Sequence, residues 1–454
     1  MLLKCDEVIP EREKHIVIKG RLRRCKIACN VPTTPGDMTE RGCTYAGCRG
    51  VVGGPVKDVI HLVHGPIGCA FYAWGYRPHL ADTDFHREYI FVSDMDESNI
   101  IFGGEKKLLN SILEAMEEFP GAKGVFVYNT CAPALIGDDG KDVAKQAMEK
   151  IGKPVVFFPC EGFRGVSQSQ GHHVGNLTIF KELTSRAEPG EPPQNGINLV
   201  GEYNIKGDLK HILPLFQEMG VEVISTFTGN ASVEDLKRMP RARLNVVHCA
   251  RSATYIAEMM REKFGIPYIH VTLWGMENMA RALRETARFF GLEKEAERII
   301  AREKRYVAPR IEYYRKRLAG KKVFIYQGAP RAWHWVQLMR ELGMEVIAIA
   351  TTFGHSDDYE RIFRQVKRGT LVVDNPNALE LEEILAELEP DLFISGNKEK
   401  YLAYKLGYPF VNGHTYDSGP YAGFRGMLKF ARDMDRAVNT PVWRLVREKA
   451  EAGI

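Results

Sequence analysis

Long apolar runs are missing from this chain. None approaches the ~18 consecutive apolar residues a membrane span takes. The opening MLLKCDEVIPEREKH is charged and has no apolar segment of the secretory kind. Both absences predict a soluble cytoplasmic protein. An excess of one charge is missing too: 62 Lys and Arg face 58 Asp and Glu, a net +4 over 454 residues. So mild a balance predicts no nucleic-acid and no membrane partner. There is no GxxxxGK(S/T) loop, so the chain holds no phosphate-binding P-loop. There is no tandem repeat and no low-complexity stretch, which excludes a solenoid. Cysteine is scarce and stops at position 249: Cys5, Cys25, Cys29, Cys43, Cys48, Cys69, Cys131, Cys160 and Cys249. An odd number in a cytosolic chain argues against a disulfide framework. Burial as small hydrophobes or metal ligation is left.

What is present is ordinary in bulk, 44% hydrophobic and 26% charged. The length calls for two or three domains. One unit recurs: a β-branched or aromatic run, a polar Gly-containing loop, then a helical pattern. VIHLVHGP, GVFVYNTCAP and PVVFFPCEG open it; INLVGEYN, LNVVHCARS, KKVFIYQGAPR, PDLFISGNKEK and YPFVNGHTYD continue it. In EKKLLNSILEAMEEF the apolar residues fall on one helical face. Such alternation predicts parallel sheets with helices on both faces. The expected fold is α/β, three doubly wound Rossmann-like domains with a cofactor in the cleft between domains. The Pro- and Gly-rich stretch 183–196 reads as a linker, and a long charged helix spans 292–322. The expected division is an N-terminal arm (1–40) and domains at 41–190, 191–318 and 319–454.

Open parallel sheets bind ligands outside the carboxyl ends of their strands, and the unusual residues sit there. Cys131, Cys160, Cys249, Arg331, His355, Lys398 and His414 each follow a predicted strand. Cysteines so placed could be nucleophiles paired with a base, thiolate ligands to iron, or unrelated loop residues. Cys43, Cys69 and Cys131 lie beside Gly or Pro, in ERGCTYAG, HGPIGCA and NTCAPAL. Glycine lets backbone approach a bulky cluster. Three cysteines leave a four-iron cluster one short. Cys48, Cys25, Cys29 or another subunit could complete it. Zinc held by Cys25, Cys29, Cys43 and Cys48 is a rival, with spacings looser than the usual knuckle.

Several motifs, in order from 41 to 441, resemble the α subunit of the nitrogenase catalytic component: ERGCTYAGCRGVV, HGPIGC, CAPALIGDD, CEGFRGVSQSQGHH, GEYNIKGD, LNVVHCARS, FGHSDDY and HTYDSGPYAGFRG. The resemblance implies that Cys43, Cys69 and Cys131 are the α-side ligands of a P-cluster (8Fe-7S), an electron relay completed by a β-type subunit. It implies that Cys249 and His414 are the two protein ligands of an active-site iron–sulfur–carbide cofactor of molybdenum, vanadium, iron-only or Fe8S9C type. Val51, Arg77, Gln168, His172, Arg251 and Arg331 would line that cofactor. Gln168, Arg331, His355 and Lys398 would bind it, with Gln168 and Lys398 near homocitrate where one is carried. His172 would donate a hydrogen bond or proton. His173 is expected to be structural, and Cys160 not to be a ligand.

The implied activity is that of an oxidoreductase. An α2β2 assembly receives single electrons from a separate ATP-dependent 4Fe-4S reductase protein, with a small molecule as substrate. Parts of the chain resemble different branches: KCDEVIPEREKHIVIKG the vanadium and iron-only enzymes, GNKEKY the molybdenum enzyme, VYNTCAPA the assembly scaffold. Two substrates stay open: N2, reduced to ammonia, and the C–S bonds of methylthio-alkanes, cleaved to methanethiol and hydrocarbon. A cofactor-assembly scaffold of the same family is the alternative. The pairing of Cys249 with His414 favours the reductase.

Overall fold

The computed structural model describes residues 14–20, 27–29, 43–76, 90–165, 168–188, 190–443 and 445–446. They fall into two compact units, Gly36–Val271 and a unit made of Met1–Pro35 with Thr272–Ile454. The first strand, β1 (Ile16–Ile18), belongs to the second unit.

The first unit carries two four-stranded parallel sheets. The chain enters through α1 (Thr44–Gly47), a π-helical turn (Cys48–Gly53) and β2 (Ile60–His64). It continues through α2 (Ile67–Tyr76), β3 (Ile90–Val92), α3 (Glu97–Phe102) and α4 (Glu105–Glu118). Then come β4 (Val125–Asn129), α5 (Cys131–Ile136), α6 (Gly140–Ile151), β5 (Val155–Phe158) and α7 (Gln168–Glu182). The sheet order is β3-β2-β4-β5. β2 (IHLVH) and β4 (VFVYN) are buried at every residue, as strands covered on both faces must be. Helix α4 turns Leu108, Ile112, Ala115 and Met116 inward. They pack with Ile60, Leu62, Val125 and Val127 and with Val143 and Ala147 of α6.

The second sheet is built from β6 (Gly196–Glu202), α8 (Leu209–Glu218), β7 (Glu222–Thr228), α9 (Val233–Arg238), β8 (Leu244–Val247), α10 (Ala250–Phe264) and β9 (Tyr268–His270). Its order, β7-β6-β8-β9, repeats that of the first.

After β1, the second unit resumes with α11 (Met276–Phe290) and α12 (Glu293–Leu318), the long charged helix. Its sheet adds β10 (Lys322–Gly328), α13 (Ala329–Glu341), β11 (Glu345–Thr352), α14 (Ser356–Gln365), β12 (Leu371–Asp374), α15 (Ala378–Leu388), β13 (Leu392–Ser395), α16 (Glu399–Lys405), β14 (Phe410–Asn412) and α17 (Gly423–Asn439). The order is β1-β12-β11-β10-β13-β14. β1 runs antiparallel along β12, so part of the expected N-terminal arm is the edge strand of this sheet. Phe324, Ala348, Leu381, Ile384, Phe393 and Ala403 form the core of one face.

All three sheets are doubly wound, and each has a point where the strand order reverses. It lies between β2 and β4, between β6 and β8, and between β10 and β13. Chain leaving neighbouring strands at such a point diverges and opens a crevice. Cys69 and Cys131 follow the first pair, Cys249 follows β8, and Arg331 and Lys398 follow the third pair.

Candidate metal centre

The ends of β2 and β4 are fastened together. The Thr130 N–H and hydroxyl both donate to the His64 carbonyl, at 3.1 and 2.7 Å. Beyond this tie, Cys131 opens α5 and Cys69 lies in the first turn of α2. Cys43 is the N-cap of α1. Gly162, in the loop after β5, stands between two of the thiols. Its N–H donates to Cys131 Sγ at 3.2 Å. A Cβ at this glycine would lie 3.1 Å from Cys131 Sγ and 3.2 Å from Cys43 Sγ. Cys69 feels both other sulfurs: burial pushes its thiol up to about 11, with Cys131 and then Cys43 adding to the rise. Burial also raises Cys43. All three residues are half-buried.

No three of the described His, Cys, Asp and Glu side chains close on one point as they would around a single ion. Zinc would need its sulfurs all about 2.3 Å from one centre. Sulfurs spread around a glycine instead suit a polynuclear iron cluster, in which different thiolates meet different irons. The N–H donated to Cys131 is the kind of bond that stabilises a thiolate there. The residues therefore fit such a cluster.

Cys48 and Cys160 pair with each other, and Cys160 also feels Cys43. Both are fully buried free thiols. Cys160 donates to the Asn129 carbonyl at 3.4 Å, and burial holds its thiol well above the usual range. The zinc set drawn from Cys25, Cys29, Cys43 and Cys48 is not assembled among the described residues, and Cys5 and Cys25 lie outside them.

Val51 is buried in the π-helical turn, an irregularity frequent at functional sites. Gln168 begins α7, and His172 follows four residues later on the same face; both are buried. The adjacent His173 is exposed and sets its ring edge-on to Tyr255 at 4.8 Å. Asn176, one turn further, is fully buried. Its amide donates to the carbonyls of His172 and Ser252 at 2.6 and 2.7 Å and accepts from the Ile256 N–H at 3.2 Å. The helix bearing Gln168 and His172 is thereby locked to α10.

Cys249 is the N-cap of α10, and Arg251 lies in its first turn. The positive end of a helix favours a thiolate. Gly201, with φ +82°, makes the room: a Cβ there would lie 2.9 Å from both the Cβ and the N of Cys249.

In the second unit Arg331 reaches from the first turn of α13 to the loop after β14. One of its nitrogens donates to the Gly413 carbonyl at 2.7 Å and to the His414 carbonyl. Its guanidinium lies over Trp274 at 4.9 Å and Tyr416 at 5.4 Å. Asn412 supports the same loop, accepting from the N–H groups of His414 and Thr415 and donating to Asn397 Oδ1 at 2.8 Å. His414 and Lys398 are half-buried. His355 caps α14: its ring accepts from the Asp358 N–H, while the Asp358 carboxylate accepts from its own. Arg77 lies outside the described residues.

Comparison with known proteins decides the family. The family model described as "Nitrogenase component 1 type Oxidoreductase" matches residues 43–439. The chain belongs to this nitrogenase component 1 family. It is 46% identical to the nitrogenase molybdenum-iron protein alpha chain of Methanothermococcus thermolithotrophicus, over 99% of this chain and 96% of that one. It is 42% identical to the nitrogenase iron-iron protein alpha chain of Rhodobacter capsulatus, over 97% and 85%. The structure titled "Nitrogenase Cp1 at pH 5" superposes with a TM-score of 0.90 at 36% identity, over 97% of this chain and 96% of that one. As a nitrogenase-family α-type chain, it is the catalytic component of an oxidoreductase. No described helix is long and apolar enough to cross a membrane.

Sequence reasoning did not find Gly162, Asn176 or Asn412 as parts of the site. Gly162 and Asn176 lie in or beside the quoted motif CEGFRGVSQSQGHH. Apart from His172, their partners are 31 to 119 residues away, so no local spacing reports them.

Proposed function

We propose that this chain is the dinitrogen-reducing α-type subunit of a two-component nitrogenase. Cys43, Cys69 and Cys131 would hold its share of a P-cluster, and Cys249 and His414 would be the protein ligands of the substrate-reducing cofactor. The observation that carries this is the placing of Cys43 and Cys131 on either side of Gly162, with Cys69 electrostatically coupled to both, and an apolar surface left bare beside them. Ile67 and Phe71 flank Cys69, Phe163 adjoins Gly162, and Leu135 lies one turn from Cys131; all are more than half exposed. Ile101 and Phe102 of α3 extend the patch. Exposed apolar surface on this scale marks an interaction face. It supports a β-type partner that completes the cluster and a separate ATP-dependent reductase that docks nearby, since this chain has no nucleotide loop of its own.

When bound, the two clusters supply the electron relay and the surface on which substrate is reduced. The chain's own groups supply the rest. His172 and Gln168 offer a proton and hydrogen bonds from one face of α7, and Asn176 fixes that face. Arg251 brings positive charge to the Cys249 end of α10. Arg331 and Asn412 hold the His414 backbone in place, and Lys398 adds a cation suited to an organic acid such as homocitrate. Val51 supports the choice of a small substrate by walling the pocket with a branched apolar side chain. The relatives named above, molybdenum-iron and iron-iron nitrogenases, support N2 as the substrate.

The test is turnover by the purified complex with its β-type partner and a reduced ATP-dependent reductase. Ammonia from N2 is expected. Methanethiol from dimethyl sulfide without ammonia would overturn the substrate in favour of a methylthio-alkane reductase. Iron near two atoms per αβ pair or fewer would overturn the cluster reading. Cys249→Ala should abolish ammonia formation while the P-cluster EPR signal survives. Retained turnover would refute its role as a ligand.

A further inference from the structure

One buried charge in the first unit has no counter-charge among the described residues. Arg49 lies in the π-helical turn six residues after Cys43, and only 2% of it is exposed. Its guanidinium sits over the Tyr128 ring at 5.4 Å, and its Nε finds no hydrogen-bond partner. Among the described residues no carboxylate pairs with it. Glu161, a buried acid of the same unit, is already engaged by Arg164 and Asn129. Burying a lone cation is expensive, and proteins retain one only where an opposite charge meets it.

The surroundings say which charge that is. Tyr45, four residues before Arg49, donates its hydroxyl to the Cys69 carbonyl at 3.0 Å. Tyr45 and Arg49, four apart in one continuous helical run, fall on the same side of that segment. Arg49 is thus joined to the thiols by a short buried segment: Cys43 caps the helix that runs on into the Arg49 turn, and Tyr45 of that helix bonds to Cys69. As free thiols these residues are neutral. They become a concentrated negative charge only when they bind metal.

We infer that Arg49 is the buried counter-ion of the metal cluster held by Cys43, Cys69 and Cys131, and that its fixed charge raises that cluster's reduction potential. The inference rests on the cluster reading above. Arg49 touches no sulfur and is no ligand; it acts through its field. A reduced cluster carries one more negative charge than an oxidised one, so a nearby cation favours the reduced form. One unit charge, acting through an effective dielectric of about 20 over about two helical turns, changes such an equilibrium on the order of tenfold.

The test uses the complex with its β-type partner, as wild type, Arg49→Met and Arg49→Lys. Iron per αβ pair is measured first, then the P-cluster midpoint by EPR-monitored redox titration. Arg49→Met should lower the reduction equilibrium constant about tenfold, about 59 mV for one electron. Arg49→Lys, which keeps the charge, should stay near wild type. An unchanged midpoint in Arg49→Met with full iron overturns the inference and leaves the cluster reading intact. Should Arg49→Met lose iron, recovery in Arg49→Lys supports the counter-ion role, and equal loss in both overturns it. Wild type without P-cluster iron overturns the cluster reading itself.

Discussion

Replacing Gly162 by alanine tests the thiol arrangement most directly. The added methyl would stand 3.1 Å from Cys131 Sγ and 3.2 Å from Cys43 Sγ, inside ordinary contact with both sulfurs. Each must give by a few tenths of an ångström, or the loop after β5 must back away. Overpacking of this kind costs about 1–3 kcal/mol. Alanine returns about 0.4–1 kcal/mol by restricting the unfolded chain. The net loss is about 1–2 kcal/mol. It falls on the geometry the metal requires, so iron should leave to a chelator on the order of tenfold faster. The metal-free chain should melt several degrees lower. Gly121→Ala is the control, because nothing lies within 4 Å of its added carbon. The assay is iron release to a chelator from the purified complex, with thermal melting of the metal-free chain beside it. Release and melting at wild-type values in Gly162→Ala would mean that the thiols do not gather around this glycine.

Other outcomes follow from the same geometry. Asn176→Ala strands the His172 and Ser252 carbonyls and the Ile256 N–H and should cost about 2–4 kcal/mol, read from urea unfolding; Asn176→Asp keeps only the acceptor and should recover part of it. Asn412→Ala frees the loop of His414, so the cofactor EPR signal should broaden or vanish while the P-cluster signal stays. Burial lowers the pKa of His64 although Asp138 beside it opposes the shift. Its contribution to stability is therefore present above the unfolded value of about 6.5 and is lost as pH falls through the lower folded value. The stability gap between wild type and His64→Gln should shrink from pH 7.5 to 5; a gap that widens would reverse the sign.

Much of the fold was legible because it is local. Buried parallel strands announce themselves as runs such as VIHLV and VFVYN, and helices as apolar periodicity. The placement of Cys131, Cys249 and Arg331 after strands was legible for the same reason. The antiparallel strand β1 was hidden, since IVI beside charged neighbours carries no sign that it will pair with residues more than 350 positions away. The burial of Arg49 was hidden likewise, because an arginine in a glycine-rich turn looks solvated until Tyr128 lies against its guanidinium. His355 shows the opposite case. Its motif, FGHSDDY, pointed to a pocket residue, and the capping contacts it makes with Asp358 were not legible from the motif.

The raised Cys69 thiol has a consequence for how the protein is built. A sulfur that keeps its proton until about pH 11 makes the metal-free chain a proton store. As a cluster ligand, Cys69 would take iron only by giving up that proton. Loading is then a proton-releasing reaction: for each proton expelled, apparent metal affinity climbs about tenfold per unit rise in pH. On that reading, metal loading would weaken steadily as pH falls, while the thiol itself stays protonated.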